Sequence, residues 1–317
     1  MAFSFFEGPE KKVELTVVDE HRSLRSYGRR FWDEVVSAAE AQVISVRSND
    51  TFDAYLLSES SLFVYDSFVT MITCGRTRLV DAVIRILEDI PPDAIAVLIY
   101  ERKNENFPHE QPTSFFDDAQ ALSRRLEGRA LRFGFEHEHA VRLFHTARPY
   151  VPDADDRTLE GLMHGIDLRL GELFRPHPEA GAVAPRLGLD AILRGYELNE
   201  HVFAPVGYSL NGMRDEAYVT LHVTPERVGS YVSFETNRDI GPDPSALVKT
   251  LVERFRPESF DVMAFVPDAG PLAVEVPGYR TRAHVQEPVS GYQVTFQHFY
   301  RPSVAVQRAF EIELASP

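Results

Sequence analysis

Short segments in which apolar and polar side chains alternate recur along the whole chain, and nothing else in the sequence constrains the fold as much. Val13–Val18, Val43–Val46, Ala96–Tyr100, Leu131–Phe135, Tyr218–Val223, Ser230–Phe234, Val262–Phe265 and Tyr292–Phe299 follow the period of two that turns one face of a strand toward a core. Helical spacing falls between them, at Tyr27–Ala39, Arg76–Glu88, Phe115–Leu126, Leu159–Leu173 and Pro244–Phe255. Strands in runs followed by single long helices predict an α+β protein, with antiparallel sheets carrying helices on their outer faces. With 317 residues, the chain can form two ordinary domains or one large layered one. No low-complexity linker divides it. The loosest stretches, 104–113, 148–156 and 175–185, are rich in proline and polar residues.

Composition narrows the partners. A chain that is 44% hydrophobic and 26% charged reads as a soluble globular protein with a sizeable core. No apolar run approaches the roughly 20 residues of a membrane helix, and no basic region followed by an apolar stretch opens the chain. A cytoplasmic location is therefore expected, with no membrane partner. The formal charge of −15 argues against nucleic acid, because phosphate contacts depend on Lys and Arg. It suits cationic ligands, although plain solubility explains it as well. Cys74 is the only cysteine, which excludes an intrachain disulfide; such a residue ordinarily packs as a small apolar side chain.

The segment from Tyr55 to Val64, YLLSESSLFV, followed by Thr73-Cys74-Gly75, reads by pattern as a half-buried strand with a serine-rich turn. It also sets a serine hydroxyl beside its own preceding peptide bond. Five further blocks accompany it: FFEGPEK from Phe5, DRTLE from Asp156, GYSLNGM from Gly207, HVTPE from His222 and SYVSFETN from Ser230. Together they resemble, in the same order, the S-adenosylmethionine decarboxylases of the eukaryotic long form, pyruvoyl enzymes of spermidine synthesis. The resemblance covers most of the chain. It implies a four-layer αββα sandwich with two topologically similar halves, a repeat that the sequence itself does not reveal.

The resemblance also implies a chemistry. Ser60 attacks the carbonyl of Glu59, and the chain parts into residues 1–59 and 60–317, leaving at position 60 a pyruvoyl cofactor derived from the serine. Ser209 and His222 match the residues that assist processing; a histidine suits proton transfer because its ordinary pKa is about 6.5. Glu10, within FFEGPEK, joins the catalytic set. Cys74 matches the proton donor of turnover, and a thiol with an ordinary pKa of about 8.5 is mostly protonated at neutral pH. For the substrate, S-adenosylmethionine, Phe6 and Phe203 match the rings that sandwich adenine, and Glu226 the carboxylate that binds the ribose. The backbone of Leu57 and the side chain of Glu59 complete the pocket.

Two departures stand out. Val206 replaces a cysteine that the family often carries, which excludes a second thiol. The family's putrescine-binding cluster is matched by Glu14, Asp156, Thr158, Glu160 and Glu235, but its lysine is Ile72 here, and Lys12 stands at a normally apolar position. With Lys12 as the one nearby lysine, buried like charges would need a cation, and modest stimulation by putrescine is the expectation. Phe135-Glu136-His137-Glu138-His139 imitates a metal-ligand run, with both histidines on one strand face. No third ligand follows at a recognisable spacing, so a solvated face and no metal are expected. Asp153–Asp156 lacks the glycine and terminal glutamate of a calcium loop. A non-catalytic regulatory paralogue, or a pyruvoyl decarboxylase for another amino acid, remain as alternative functions. A monomer and a homodimer of processed heterodimers both fit the sequence.

Overall fold

The computed structural model describes residues 6–177, 182–226, 229–241, 243–267 and 272–302. Its first half runs β1 (Lys11–Val17), α1 (Gly28–Ala38), β2 (Val43–Ser48), β3 (Asp53–Leu57), β4 (Ser60–Val64), β5 (Phe68–Thr73), α2 (Leu79–Asp89), β6 (Ile95–Lys103), α3 (Phe115–Ser123), β7 (Gly128–Gly134) and β8 (Ala140–Thr146). The second half runs β9 (Thr158–His164), α4 (Asp190–Leu193), β10 (Glu197–Val202), β11 (Tyr208–Arg214), β12 (Ala217–Thr224), β13 (Tyr231–Thr236), α5 (Ser245–Phe255), β14 (Ser259–Pro267), β15 (Arg280–Val289) and β16 (Tyr292–Tyr300). Each half forms one eight-stranded antiparallel sheet. The orders are β2-β3-β4-β5-β1-β6-β8-β7 and β10-β11-β12-β13-β9-β14-β16-β15, the same topology twice.

The expected sandwich of antiparallel sheets is what the chain forms, with few, peripheral helices. Leu79, Val80, Val83, Ile86 and Leu87 line the buried side of α2, and they join the odd-numbered side chains of β1 (Val13, Leu15, Val17) in one apolar layer. A second such layer packs α5, through Leu247, Val248, Leu251 and Val252, against β9, β12 and β14. Ser114 and Asp117 cap α3 reciprocally, which stops the helix from extending into the preceding loop. Among the described residues no helix is long and apolar enough to cross a membrane.

Between the sheets, counterpart strands face each other. Ser45 on β2 meets Asn199 on β10 at 3.1 Å, and the Asn211 amide on β11 donates to the Tyr55 carbonyl on β3 at 3.1 Å. Phe63 on β4 stacks on Tyr218 on β12 with ring centres 4.3 Å apart. The apolar filling of this layer is divided. One cluster gathers Phe52, Phe63, Tyr65, Met213 and Tyr218; another gathers Ile99, Leu143, Leu162, Met263 and Phe296. A polar zone described below is also buried between the sheets.

Two expectations fail for local reasons. Leu159–Leu173 is not a helix but β9 followed by a 3-10 segment, Leu168–Phe174. The strand is central and covered on both faces: Leu159 and Met163 face the α5 layer, Leu162 the other sheet. Apolar residues on both faces erase the alternation and imitate helical spacing. Phe135–His139 is not a strand face either. It is the connection between β7 and β8, in which His137 is exposed and His139 half-buried.

Candidate active site

The segment Leu56–Ser61 is a hairpin with Ser58-Glu59 at its turn, and Leu57 pairs directly with Ser60. Leu57 buries its side chain in the outer core, so only its backbone is available to a ligand. Ser60 carries φ 137°, a region that an L-residue with a side chain occupies only under constraint, at a cost of about 1–3 kcal/mol. Its hydroxyl is buried without a hydrogen-bond partner. The carbonyl oxygen of Glu59 accepts two hydrogen bonds from Cys74, one from the backbone N–H at 2.9 Å and one from Sγ at 3.2 Å. Cys74 lies just past β5, whose Thr73 pairs with Ser60, so the sheet register itself brings these groups together. Burial, then the neighbouring Glu10 and Glu59, push the Cys74 thiol up; it stays protonated.

His222 and Ser209 are cross-strand partners on β12 and β11, and the Ser209 hydroxyl lies 2.8 Å from His222 Nδ1. Burial lowers the imidazole to about 3, so it is neutral at physiological pH. The serine in reach of its Nε2 is Ser61, at 3.3 Å; no hydrogen bond joins His222 to Ser60. Thr220 also meets Nε2 at 2.7 Å, and Asn211 accepts from Ser61 at 2.5 Å and from Thr220 at 3.1 Å. Sequence reasoning passed over Ser61, Asn211 and Thr220. Thr220 was the most accessible of them, standing two residues before His222 and therefore on the same strand face.

On the other side of Cys74, Glu10 accepts from the Ser233 hydroxyl, and burial raises its carboxyl to about 8. Glu7, a further residue not anticipated, binds the backbone N–H groups of Asn106 and Phe107 at 2.9 and 2.8 Å. Its own carbonyl accepts from Gly75 at 2.8 Å. Gly75 has φ +67°, and a Cβ there would sit 3.1 Å from the Phe6 ring and 3.7 Å from the Glu59 side chain. A side chain would thus crowd Phe6 and lie against Glu59. Phe203 lies in the β10–β11 connection, edge-on to His201 with ring centres 4.6 Å apart. Val206, in the same connection, packs against the outer core. Glu226 follows β12 half-buried, and burial raises its carboxyl.

The predicted acidic cluster is buried and holds more cation than expected. Lys12 Nζ lies 2.9 Å from Glu160, 3.2 Å from Glu235, and 3.9 Å from both Glu14 and Glu101. A second lysine, Lys103, reaches the other oxygen of Glu160 at 2.9 Å and Glu101 at 3.2 Å. Burial alone would raise Glu160, but Lys103 and Lys12 overcome it and hold the carboxyl at about 2. Glu14 and Glu101 are pushed up by burial, to about 8 and about 7. Asp156 stands apart from Lys12. It accepts from Tyr292 at 2.5 Å and Tyr150 at 3.4 Å. Thr158 is buried on β9, two residues before Glu160. Ile72 is the cross-strand partner of Lys12, so the cation absent at 72 is carried by the opposite residue of the same rung.

Comparison with known proteins gives the family. The family model described as Adenosylmethionine decarboxylase matches residues 3–300. The S-adenosylmethionine decarboxylase proenzyme of Dictyostelium discoideum is 30% identical over 303 residues, covering 86% of this chain and 80% of that protein. That of Leishmania donovani is 33% identical over 287 residues, with 84% and 75% covered, and that of Xenopus laevis 33% over 286 residues, with 84% of each covered. The fold is shared with the solved Trypanosoma brucei AdoMetDC-delta26 monomer, at TM-score 0.60 and 24% identity over 76% of this chain and 99% of that one. On the span of the family match and of these relatives, the chain belongs to the adenosylmethionine decarboxylase family.

Proposed function

We propose that this protein cuts itself between Glu59 and Ser60, into residues 1–59 and 60–317, and then decarboxylates S-adenosylmethionine to supply polyamine synthesis. The observation that carries this reading is the Glu59 carbonyl, held by two donors of Cys74 beside an unpartnered Ser60 hydroxyl on constrained backbone. Attack of Oγ on the carbonyl carbon turns the amide into an ester, with the hydroxyl proton passing to the departing amine. The Cys74 donors lie where negative charge develops on the oxygen. Loss of the Ser60 Cα proton then breaks the Cβ–Oγ bond and frees the Glu59 carboxylate. His222, neutral and 3.3 Å from the next residue, is the base assigned to that proton. Hydrolysis of the new N-terminus releases ammonia and leaves the pyruvoyl group.

That group supplies an electron sink for the pair released as carbon dioxide leaves the substrate. The protonated Cys74 thiol delivers a proton to the substrate's α-carbon. Phe6 and Phe203 hold the adenine by its faces, which is worth about 1–3 kcal/mol per stacked base, and Glu226 accepts from the ribose hydroxyls.

The charged cluster bears on regulation. Lys12 and Lys103 bring two ammonium groups to Glu160, as many as a diamine would. The stimulation by putrescine expected from one lysine is therefore revised to a change of less than about twofold, since a ligand shifts an equilibrium only by its differential affinity.

Intact-mass measurement during maturation, paired with carbon dioxide release from carboxyl-labelled S-adenosylmethionine, tests the proposal. Two fragments of 59 and 258 residues are expected, with release rising in proportion to the cleaved fraction. A chain that turns over substrate while uncut, or one that is fully cut yet releases nothing, overturns it.

A further inference from the structure

A second polar cluster lies away from the processing hairpin, where the inter-sheet layer reaches the β7–β8 connection. On the second sheet, Asp261 on β14 pairs directly with His298 on β16 and lies diagonal to His164 at the end of β9. The first sheet contributes His139, whose ring centre is 3.9 Å from that of His164 and 5.1 Å from that of His298. One donor atom each from His139, His164 and Asp261 fall within 4.8 Å of one another. The structure assigns to these three residues a site for a divalent transition-metal ion of the Zn²⁺ class, joining the two sheets.

Four features support this assignment. First, the donors suit the ion: two imidazoles and a carboxylate form a three-ligand set with an open position, as zinc and its neighbours accept. Second, the donors are oriented from behind. His298 Nδ1 lies 2.6 Å from Asp261 Oδ1, which leaves Oδ2 facing the other histidines. Ser259 Oγ lies 3.2 Å from His139 Nε2; the tautomer that donates Nε2–H to it leaves a lone pair on Nδ1. Third, the buried Nε2 of His164 and Oδ2 of Asp261 face each other at 3.4 Å, so two of the three donor atoms already converge. Fourth, an open depression lined by Asn104, Asn106, His139, Ser259, Arg282 and His298 gives an ion access from solvent.

A tetrahedral ion with bonds of about 2.1 Å sets its ligands roughly 3.4 Å apart. Rotamer adjustment of little more than an ångström closes the site. The consequence is mechanical: the ion would tie a connection of the first sheet to two central strands of the second.

The test uses the full chain purified without a histidine tag and freed of metal by chelation. Titration with Zn²⁺ should give one equivalent bound per chain, and the melting temperature should rise with Zn²⁺ concentration. His139→Ala, in a connection where a fold defect is least expected, and Asp261→Asn should each weaken binding at least tenfold and abolish the melting shift. His137→Ala, an exposed histidine in the same connection, should leave both unchanged. Co²⁺ substitution should give visible bands without a thiolate charge-transfer band. Absence of stoichiometric binding in the wild type, retention of it in His139→Ala, or a thiolate band placing the ion at Cys74 would each overturn the assignment.

Discussion

The hairpin joining β3 to β4 and the hairpin joining β11 to β12 hold equivalent places in the two sheets. Each turns in two residues, Ser58-Glu59 in the first and Asp215-Glu216 in the second. Both offer a carbonyl with two donors: Glu59 accepts from Cys74 twice, and Glu216 from the Tyr65 hydroxyl at 2.8 Å and the Asn237 amide at 3.3 Å. The backbone differs. In the second hairpin the positive φ falls within the turn, at Asp215 (53°), where an aspartate tolerates it. In the first it falls one residue past the turn, on Ser60 at 137°. A polarised carbonyl is therefore not what distinguishes the proposed cleavage site. Constraint on the residue that follows it is.

The largest effect expected is on Ser60. Ser60→Ala should abolish both cleavage and decarboxylation, as read by intact mass and carbon dioxide release. The complementary variant is Ala217→Ser, which puts a Glu-Ser pair into the relaxed hairpin; no cut should appear there after prolonged incubation. A fragment ending at Glu216 would mean that hydroxyl and carbonyl suffice and that the conformational contrast is irrelevant.

Next comes Cys74→Ala. Turnover should drop by roughly 10²–10⁴, the contribution of a positioned proton donor. Processing should slow less, because the backbone N–H of residue 74 still reaches the Glu59 oxygen. Equal losses in both rates would deny the thiol a separate part in turnover.

The halves also differ in charge: β1 contributes Lys12, and its counterpart β9 contributes Glu160. Lys12→Leu removes one partner of a buried pair and should cost about 3–5 kcal/mol in urea unfolding. Wild-type processing should change less than about twofold with millimolar putrescine, whereas the variant should be clearly stimulated. Strong stimulation of the wild type would show that the two lysines do not stand in for a diamine.

The smallest effect isolates the strain itself. Neither Ser60→Gly nor Ser60→Ala can be processed, so their stabilities compare like with like. Glycine accepts φ 137° freely, and Ser60→Gly should be the more stable by about 1–3 kcal/mol. Equal unfolding midpoints would mean that the precursor backbone relaxes elsewhere.

Much of this was legible in the sequence where the signal is local. Alternation in Tyr218–Val223 and Tyr292–Phe299 located strands and hence the layered class. It failed for β9 and for β5, which bury apolar side chains on both faces, Leu159 and Leu162 in one and Met71 and Ile72 in the other, and so carry no alternation to read. Motif residues such as Ser60, Cys74 and His222 were recognisable because their neighbours are distinctive. Lys103 and Asn211 were not, because their roles depend on contacts with residues far away in the chain: Glu160 for Lys103, and Ser61 and Tyr55 for Asn211. The same holds for His139 with Asp261, where spacing within one strand suggested a solvated face. The duplication of the halves is invisible for a related reason: strand order is preserved while side chains are free to diverge.

Strand order also determines what happens to the pieces. β1, drawn from the first 59 residues, lies between β5 and β6, both drawn from the remainder. After a cut at Glu59, the short polypeptide would hold the β2–β3 rim and also be woven through β1 into the middle of a continuous sheet, with Lys12 paired to Glu160 and Glu235 of the longer one. Dilution alone could not separate such a pair. Fragment exchange would require opening the sheet along three ladders, β1 with β5, β1 with β6 and β3 with β4, so each mature heterodimer should keep for life the two chains that were translated as one.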